Sequence, residues 1–253
     1  MTKLLTHSPL GASGAYRWMP CPGSVGLSVG VSDEESEYAA LGTAAHSLAA
    51  LCLEEDTDAW NFIGLEAYEG TPPEIQHLSV SKDMADAVQV YLDQVRHAHP
   101  DCNQGNTWIE RRFHCPDIHE LFYGTADLVH LESITYRTPY SPVKVIKNDE
   151  PLGGAEPPGT FISSQRLHVW DYKHGAGIVV EVQHNPQLMY YAVGALHDLD
   201  LWLSVREVVL HVVQPRGWHT SGPVREWTIS TADLWTWMHD VLVPAMDRAI
   251  VSR

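Results

Sequence analysis

The chain has 253 residues, 44% of them hydrophobic, with 32 acidic against 16 basic side chains and a formal net charge of −16. That length suits one large domain with a proper core, and no Gly/Ser- or Pro-rich linker splits it into halves of distinct composition. The acidity argues against a broad coating of nucleic acid, which basic side chains drive, but leaves room for a narrow site where metal ions supply the positive charge. No run of about 18 apolar residues is present, so no membrane span is expected. Met1–His7 lacks the apolar stretch of a signal peptide, and cytoplasmic residence is the expectation. Cys21, Cys52, Cys102 and Cys115 form no CxxC pair and are expected to be reduced.

Residues 1–30 read as loop and turn, punctuated by Gly11, Gly14, Pro20, Pro22, Gly23, Gly26 and Gly30. A helix is expected from about Asp33 to Glu55, with acidic residues at its start that complement the helix dipole and His46 near its middle. Residues 56–80 read as irregular. A second helix, about Ser81–His99, gathers Met84, Val88, Tyr91, Leu92 and Val95 on one face and ends at Pro100.

Strands follow at Thr107–Phe113 and Gly124–Leu131, the latter with Ala126 and Leu128 on one face, His130 a further candidate there, and Asp127 and Val129 on the other. Residues 133–163, rich in proline and glycine, read as an insertion in which Val143–Lys147 can form a short arm carrying Lys144 and Lys147. The alternatives for it are a solvated loop and a DNA-contacting arm. Arg166–Lys173 reads as a strand, with Leu167, Val169 and Asp171 alternating against His168, Trp170 and Tyr172. Asn185 can cap a helix with Pro186 at its first position. Further strands are expected within Leu201–Val213 and at Val224–Ile229, and a last helix after Ser230 to about Ser252. The order of helices and strands indicates an α/β domain with a mixed central sheet flanked by helices, spanning 1–253.

Four short signatures stand in one order: Gly42-Thr43-Ala44-Ala45-His46, Gly124-Thr125-Ala126-Asp127, Asp171-Tyr172-Lys173, and Gln187 with Tyr191. Two carboxylates and an imidazole form a half-shell for Mg²⁺ or Mn²⁺, which lowers the pKa of a water and offsets charge on a phosphate. Lys173 lies two residues after Asp171, so both project from one strand face, where the lysine can orient an attacking water or stabilise developing charge. Gln187 and Tyr191, four apart, share a helix face and can hold a phosphate or brace Lys173. Each signature alone has a plain structural reading: a core histidine, a strand-end aspartate, a surface ion pair, a packed tyrosine.

Together, His46, the GxxD ending at Asp127, Asp171–Lys173 and Gln187–Tyr191 resemble the RecB-like branch of the PD-(D/E)XK nuclease superfamily, over roughly residues 10–230. Ser13–Gly23, Gly42–His46 and Val213–Arg216 are similar to a phage-encoded RecB-like exonuclease group. The resemblance implies a restriction-endonuclease-like core and a metal-dependent deoxyribonuclease. His46, Asp127, Asp171 and the Tyr172 carbonyl would hold Mg²⁺ or Mn²⁺, with Asp127, Asp171, Lys173, Gln187 and Tyr191 as the catalytic set. It also implies Ser13, Arg17, Gln187 and Tyr191 on DNA, with Ser13 and Arg17 able to contact a terminal phosphate. Some relatives carry an iron–sulfur cluster; only Cys21 matches its cysteines and none follows Cys115, so no cluster is expected in this chain. A phage protein acting on DNA ends in a bacterial cytoplasm, with a single-strand-binding or annealing partner, is the setting implied. The alternatives are a structure-selective endonuclease and a catalytically inactive DNA-binding or protein-docking module.

Overall fold

The computed structural model describes residues 8–29, 37–67, 78–100, 102, 105–137 and 161–251. The first segment is more ordered than its glycines and prolines suggest. A 3-10 turn at Ala12–Gly14 runs into α1 (Ala15–Trp18), and α2 (Gly23–Leu27) follows. These turns are too short to show helical periodicity in sequence; the buried Trp18 anchors them, its indole N–H donating to the Gly11 carbonyl at 2.9 Å.

Helix α3 (Glu37–Glu54) carries His46; the acidic start expected at Asp33 lies outside the described residues. The stretch read as irregular contains a 3-10 turn, Ala59–Phe62, and two paired strands, β1 (Glu66–Ala67) and β2 (Leu78–Ser79). Helix α4 (Lys82–Ala98) starts at Ser81, whose hydroxyl accepts from the Met84 N–H at 3.1 Å.

Strands β3 (Thr107–His114), β4 (Tyr123–Arg137) and β5 (Phe161–Tyr172) lead to α5 (Pro186–Asp198). The β4–β5 ladder reaches Arg137 and Phe161, so it enters the segment read as an insertion; the arm at Val143–Lys147 lies outside the described residues. Asn185 caps α5 as expected, accepting from the N–H groups of Gln187 and Leu188. Then come β6 (Val205–Val213), β7 (Val224–Ser230), α6 (Thr231–Trp237) capped by Ser230, and α7 (Val243–Val251). A π-turn, Met238–Leu242, joins the last two helices. Its cause is Pro244, which has no N–H to return to the carbonyl four residues back.

The protein is an α/β domain with a five-stranded mixed sheet in the order β3-β4-β5-β6-β7, flanked by helices. Strand β5 runs parallel to β6, joined through α5, and the other pairs are antiparallel. The sheet separates two cores. One packs α5, α6, α7 and the N-terminal turns against Leu167 and Val169; the other packs α3 and α4 against Leu128, Trp170 and Tyr172. The alternation expected along β5 is present. Along β4 it slips: Leu128 faces the second core, while Ala126 joins Val129 in the first. The break falls at Asp127, where the β4–β5 ladder stops at the Leu128–Trp170 pair. Among the described residues no helix is long and apolar enough to cross a membrane.

Helix α5 lies close on the sheet because position 194 is glycine. A Cβ there would stand 2.4 Å from two ring atoms of Phe113. That ring is buried beside Phe122 and Tyr190 and has no room to move. Gly194→Ala is therefore expected to destabilise the fold. Overpacking of about 1–3 kcal/mol outweighs the roughly 1 kcal/mol gained from helix propensity. A urea midpoint equal to or above wild type would refute this.

A second polar cluster is buried on the α4 side of the sheet. His168 Nδ1 lies 3.0 Å from His211 Nε2, the Trp170 indole donates to His99 Nε2 at 3.1 Å, and His99 stacks on His130 at 3.9 Å. Ring stacking and mutual hydrogen bonds let these four imidazoles share one apolar setting.

Candidate active site

The functional candidates from four distant parts of the chain meet where β4 and β5 part. Asp127 leaves the ladder and turns its carboxylate toward the neighbouring backbone: Oδ2 accepts from the Tyr172 N–H at 2.8 Å and stands 3.3 Å from His46 Nδ1. The aspartate thus replaces a strand-to-strand hydrogen bond, which fixes it without help from a turn.

One residue earlier on β5, Asp171 is buried, and Lys173 Nζ lies 2.9 Å from each of its carboxylate oxygens. The hydrogen-bond geometry favours Oδ1, leaving Oδ2 buried without a donor. Gln187 spans the pair from the first turn of α5. Its Oε1 accepts from Lys173 Nζ at 3.2 Å, and its Nε2 reaches Asp171 Oδ1 at 3.3 Å and Tyr191 OH at 3.0 Å. The i, i+4 pair of glutamine and tyrosine is therefore a brace on the lysine, as its spacing suggests.

These groups open on a cleft of ≈ 880 Å³ that His46, Asp127, Asp171, Lys173, Gln187 and Tyr191 line together. Ser13, Arg17 and Ser28 border its far side. The Arg17 guanidinium is exposed and donates to Ser28 Oγ at 2.8 Å. Of the small residues before His46, Ala44 and Ala45 are buried in the second core, Thr43 lines the cleft, and Gly42 has open space where a side chain would go.

Electrostatics set the groups apart. Burial pulls the His46 imidazole down, but the charges of Asp127 and Asp171 outweigh it and raise its pKa to about 9. Burial likewise raises Asp127, yet His46 and Lys173 overcome it and hold this carboxyl below the usual range. Asp171 goes the other way: burial and the nearby Asp127 carboxylate hold it above that range despite Lys173. Lys173 is held above its ordinary value, since Asp171 and Asp127 outweigh burial. Two carboxylates crowded this closely, one with a donorless buried oxygen, are suited to a divalent cation.

One candidate ligand was missed in the sequence. Among the described residues, the atoms of His46, Asp127 and Glu110 lie within 4.8 Å of one another. Asp171 lies outside this tight set, its carboxylate turned to Lys173 and Gln187. Glu110 is delivered by a left-handed residue in β3, its φ being 47°, opposite Asp127. Nothing in the sequence marks that backbone conformation. None of the four cysteines is joined in a disulfide; Cys21 is exposed and Cys115 buried.

The brace gives a direct expectation for whatever reaction Lys173 serves. Gln187→Ala leaves Asp171 in place but frees the ammonium, and turnover should fall roughly 10²-fold with KM little changed, as for a misplaced positioning group. A mutant with wild-type turnover would remove the brace from the argument.

An α/β domain with a buried carboxylate–lysine pair at the mouth of a large cleft is the class of protein defined so far. The chain belongs to the family described as "Protein of unknown function (DUF2800)", which it matches over residues 7–135 and 159–253. The break in that match overlaps the segment between β4 and β5. No solved structure matches the chain.

Proposed function

We propose that the protein is a metal-dependent deoxyribonuclease of the RecB-like PD-(D/E)XK type, acting at DNA ends. The observation that carries this reading is the Asp171–Lys173–Gln187 cluster, with Asp127 and His46 beside it on one cleft. Asp127, Asp171, His46 and the Tyr172 carbonyl would hold Mg²⁺ or Mn²⁺. When bound, the ion supplies charge stabilisation on the phosphate and a more acidic water.

The chain's own groups then have defined tasks. Lys173, protonated and fixed by Asp171 and Gln187, donates to the attacking water or to a non-bridging phosphate oxygen. Asp127 keeps its orientation through the Tyr172 N–H. Tyr191 and Gln187 line the path by which a strand would reach the aspartates, and Arg17 and Ser13 border its other side, where a terminal phosphate fits. The acidic remainder of the surface repels duplex DNA, which favours engagement of an end threaded into the cleft over broad coating. A phage origin and an annealing or single-strand-binding partner are part of this reading.

The test is incubation with end-labelled linear duplex, single strand and closed circle, in Mg²⁺, Mn²⁺ or EDTA. Metal-dependent loss of linear substrates with circles spared is the expected result. Cutting of circles would favour a structure-selective endonuclease. Binding without cleavage in either metal would favour an inactive docking module.

A further inference from the structure

Sharing His46 and Asp127 with the large cleft is a second cavity of ≈ 10 Å³, room for one water or one ion. Its walls include His46, Leu53, Tyr91, Glu110, Asp127 and Tyr172. Tyr91 comes from α4 and is 1% exposed, and its hydroxyl has no hydrogen-bond partner. A buried hydroxyl left unpaired costs about 1–3 kcal/mol, a penalty that a water or ion in the cavity would remove. The Tyr91 side chain lines the cavity together with Glu110 and Asp127.

Two further facts converge on the same space. Ligand atoms of His46, Glu110 and Asp127 lie within 4.8 Å of one another. Ligands around an octahedral divalent ion stand about 3–4 Å apart, so small side-chain rotations close the set. Glu110 is put there by a positive φ in β3, a conformation disfavoured for a glutamate and retained at functional positions.

We propose that Glu110, His46 and Asp127 hold a divalent cation of their own, faced by the Tyr91 hydroxyl and separate from the position that Asp127 shares with Asp171. The inference rests on the metal-dependent reading above. One imidazole with two carboxylates favours an ion of intermediate softness such as Mn²⁺ over Mg²⁺. Asp127 belongs to both positions, one on each side of its carboxylate, and His46, grouped with Asp171 in the reading above, is on this inference the imidazole of the Glu110 ion.

The experiment counts Mn²⁺ bound per chain by titration calorimetry and by electron paramagnetic resonance, on the full-length protein with the metal alone. Wild type is expected to bind two ions and E110Q one, with the remaining ion's affinity changed by no more than a few-fold. D171N should lose the other ion and keep this one, and D127N should lose both. Y91F, which removes only the hydroxyl, should weaken the Glu110-dependent ion several-fold and serves if E110Q does not fold. Equal ion counts in wild type and E110Q, with one ion lost in D171N, would overturn the proposal and leave the nuclease reading standing. Absence of Mn²⁺ binding in wild type would sink both.

Discussion

Asp171→Asn is expected to abolish metal-dependent cleavage and, in the absence of metal, to make the protein more stable. The first effect follows from the proposed metal site, in which Asp171 is a ligand as well as the partner of Lys173. With several kcal/mol of charge stabilisation gone, the rate should drop roughly 10³-fold or more. The second follows from burial and the neighbouring Asp127, which hold Asp171 above the usual carboxylate range, so the native state resists its ionisation. An amide of the same shape removes that penalty and keeps a partner for Gln187. Saturating Mn²⁺ should reverse the order. A ligand at 100 times its Kd stabilises by about 2.7 kcal/mol, and the mutant forgoes the share belonging to this ion. Thermal melts with EDTA and with Mn²⁺, beside a cleavage assay, measure all of this. A metal-free mutant less stable than wild type would show that Asp171 is chiefly a structural partner of Lys173.

The second large effect is on pH. His168 and His211 are held below their ordinary value, first by burial and, for His211, then by the neighbouring His168 and His99. Glu132, 3.1 Å from His168, opposes this without overcoming it, while His130 and Arg166 reinforce it; Glu226 stands 3.8 Å from His211. His174 is held down to about 4 by burial and by Arg216. All three are neutral when folded and take up protons readily when unfolded. Stability is therefore full above pH ~6.5 and falls as pH drops below it, by up to about 1.4 kcal/mol per pH unit for each group. His46 has the opposite sign. Its pKa is raised to about 9, so its contribution is full below ~6.5 and is lost as pH climbs through 9. Metal-free stability should peak near neutrality, with a steep acid limb and a shallower alkaline one. Urea midpoints at several pH values test the shape, and His46→Ala should flatten the alkaline limb alone. A midpoint unchanged between pH 6.5 and 5 would contradict the burial of three neutral imidazoles.

Much of the frame was legible because local chemistry and tertiary demand agree. Ser81, Asn185–Pro186 and Ser230 start their helices as caps, and β5 alternates because its two faces meet two cores. What escaped depends on geometry that no residue type announces. The N-terminal turns are shorter than a helical repeat. The slip at Asp127 arises where two strands part, and the π-turn records a missing N–H four residues away. Glu110 escaped for the same reason: an isolated acid between Ile109 and Arg111 on a strand has no spacing that ties it to His46. The other candidates share a motif order; this one shares only a place. Ser13 and Arg17 line the cleft but touch none of the aspartates, so their part depends on a substrate rather than on the fold.

The position of His46 couples two otherwise independent halves of the molecule. Asp171, Lys173, Gln187 and Tyr191 are mounted on β5 and α5, whereas His46 rides on α3, which is seated on the other core. On the proposed reading, an ion held from both sides would act as a rivet through the sheet, and its affinity would include the free energy of seating α3. Truncating a side chain such as Leu48, which never meets the substrate, would be felt as weaker metal retention rather than as slower chemistry. A screen for activity at saturating metal would miss such lesions, and one at limiting metal would find them.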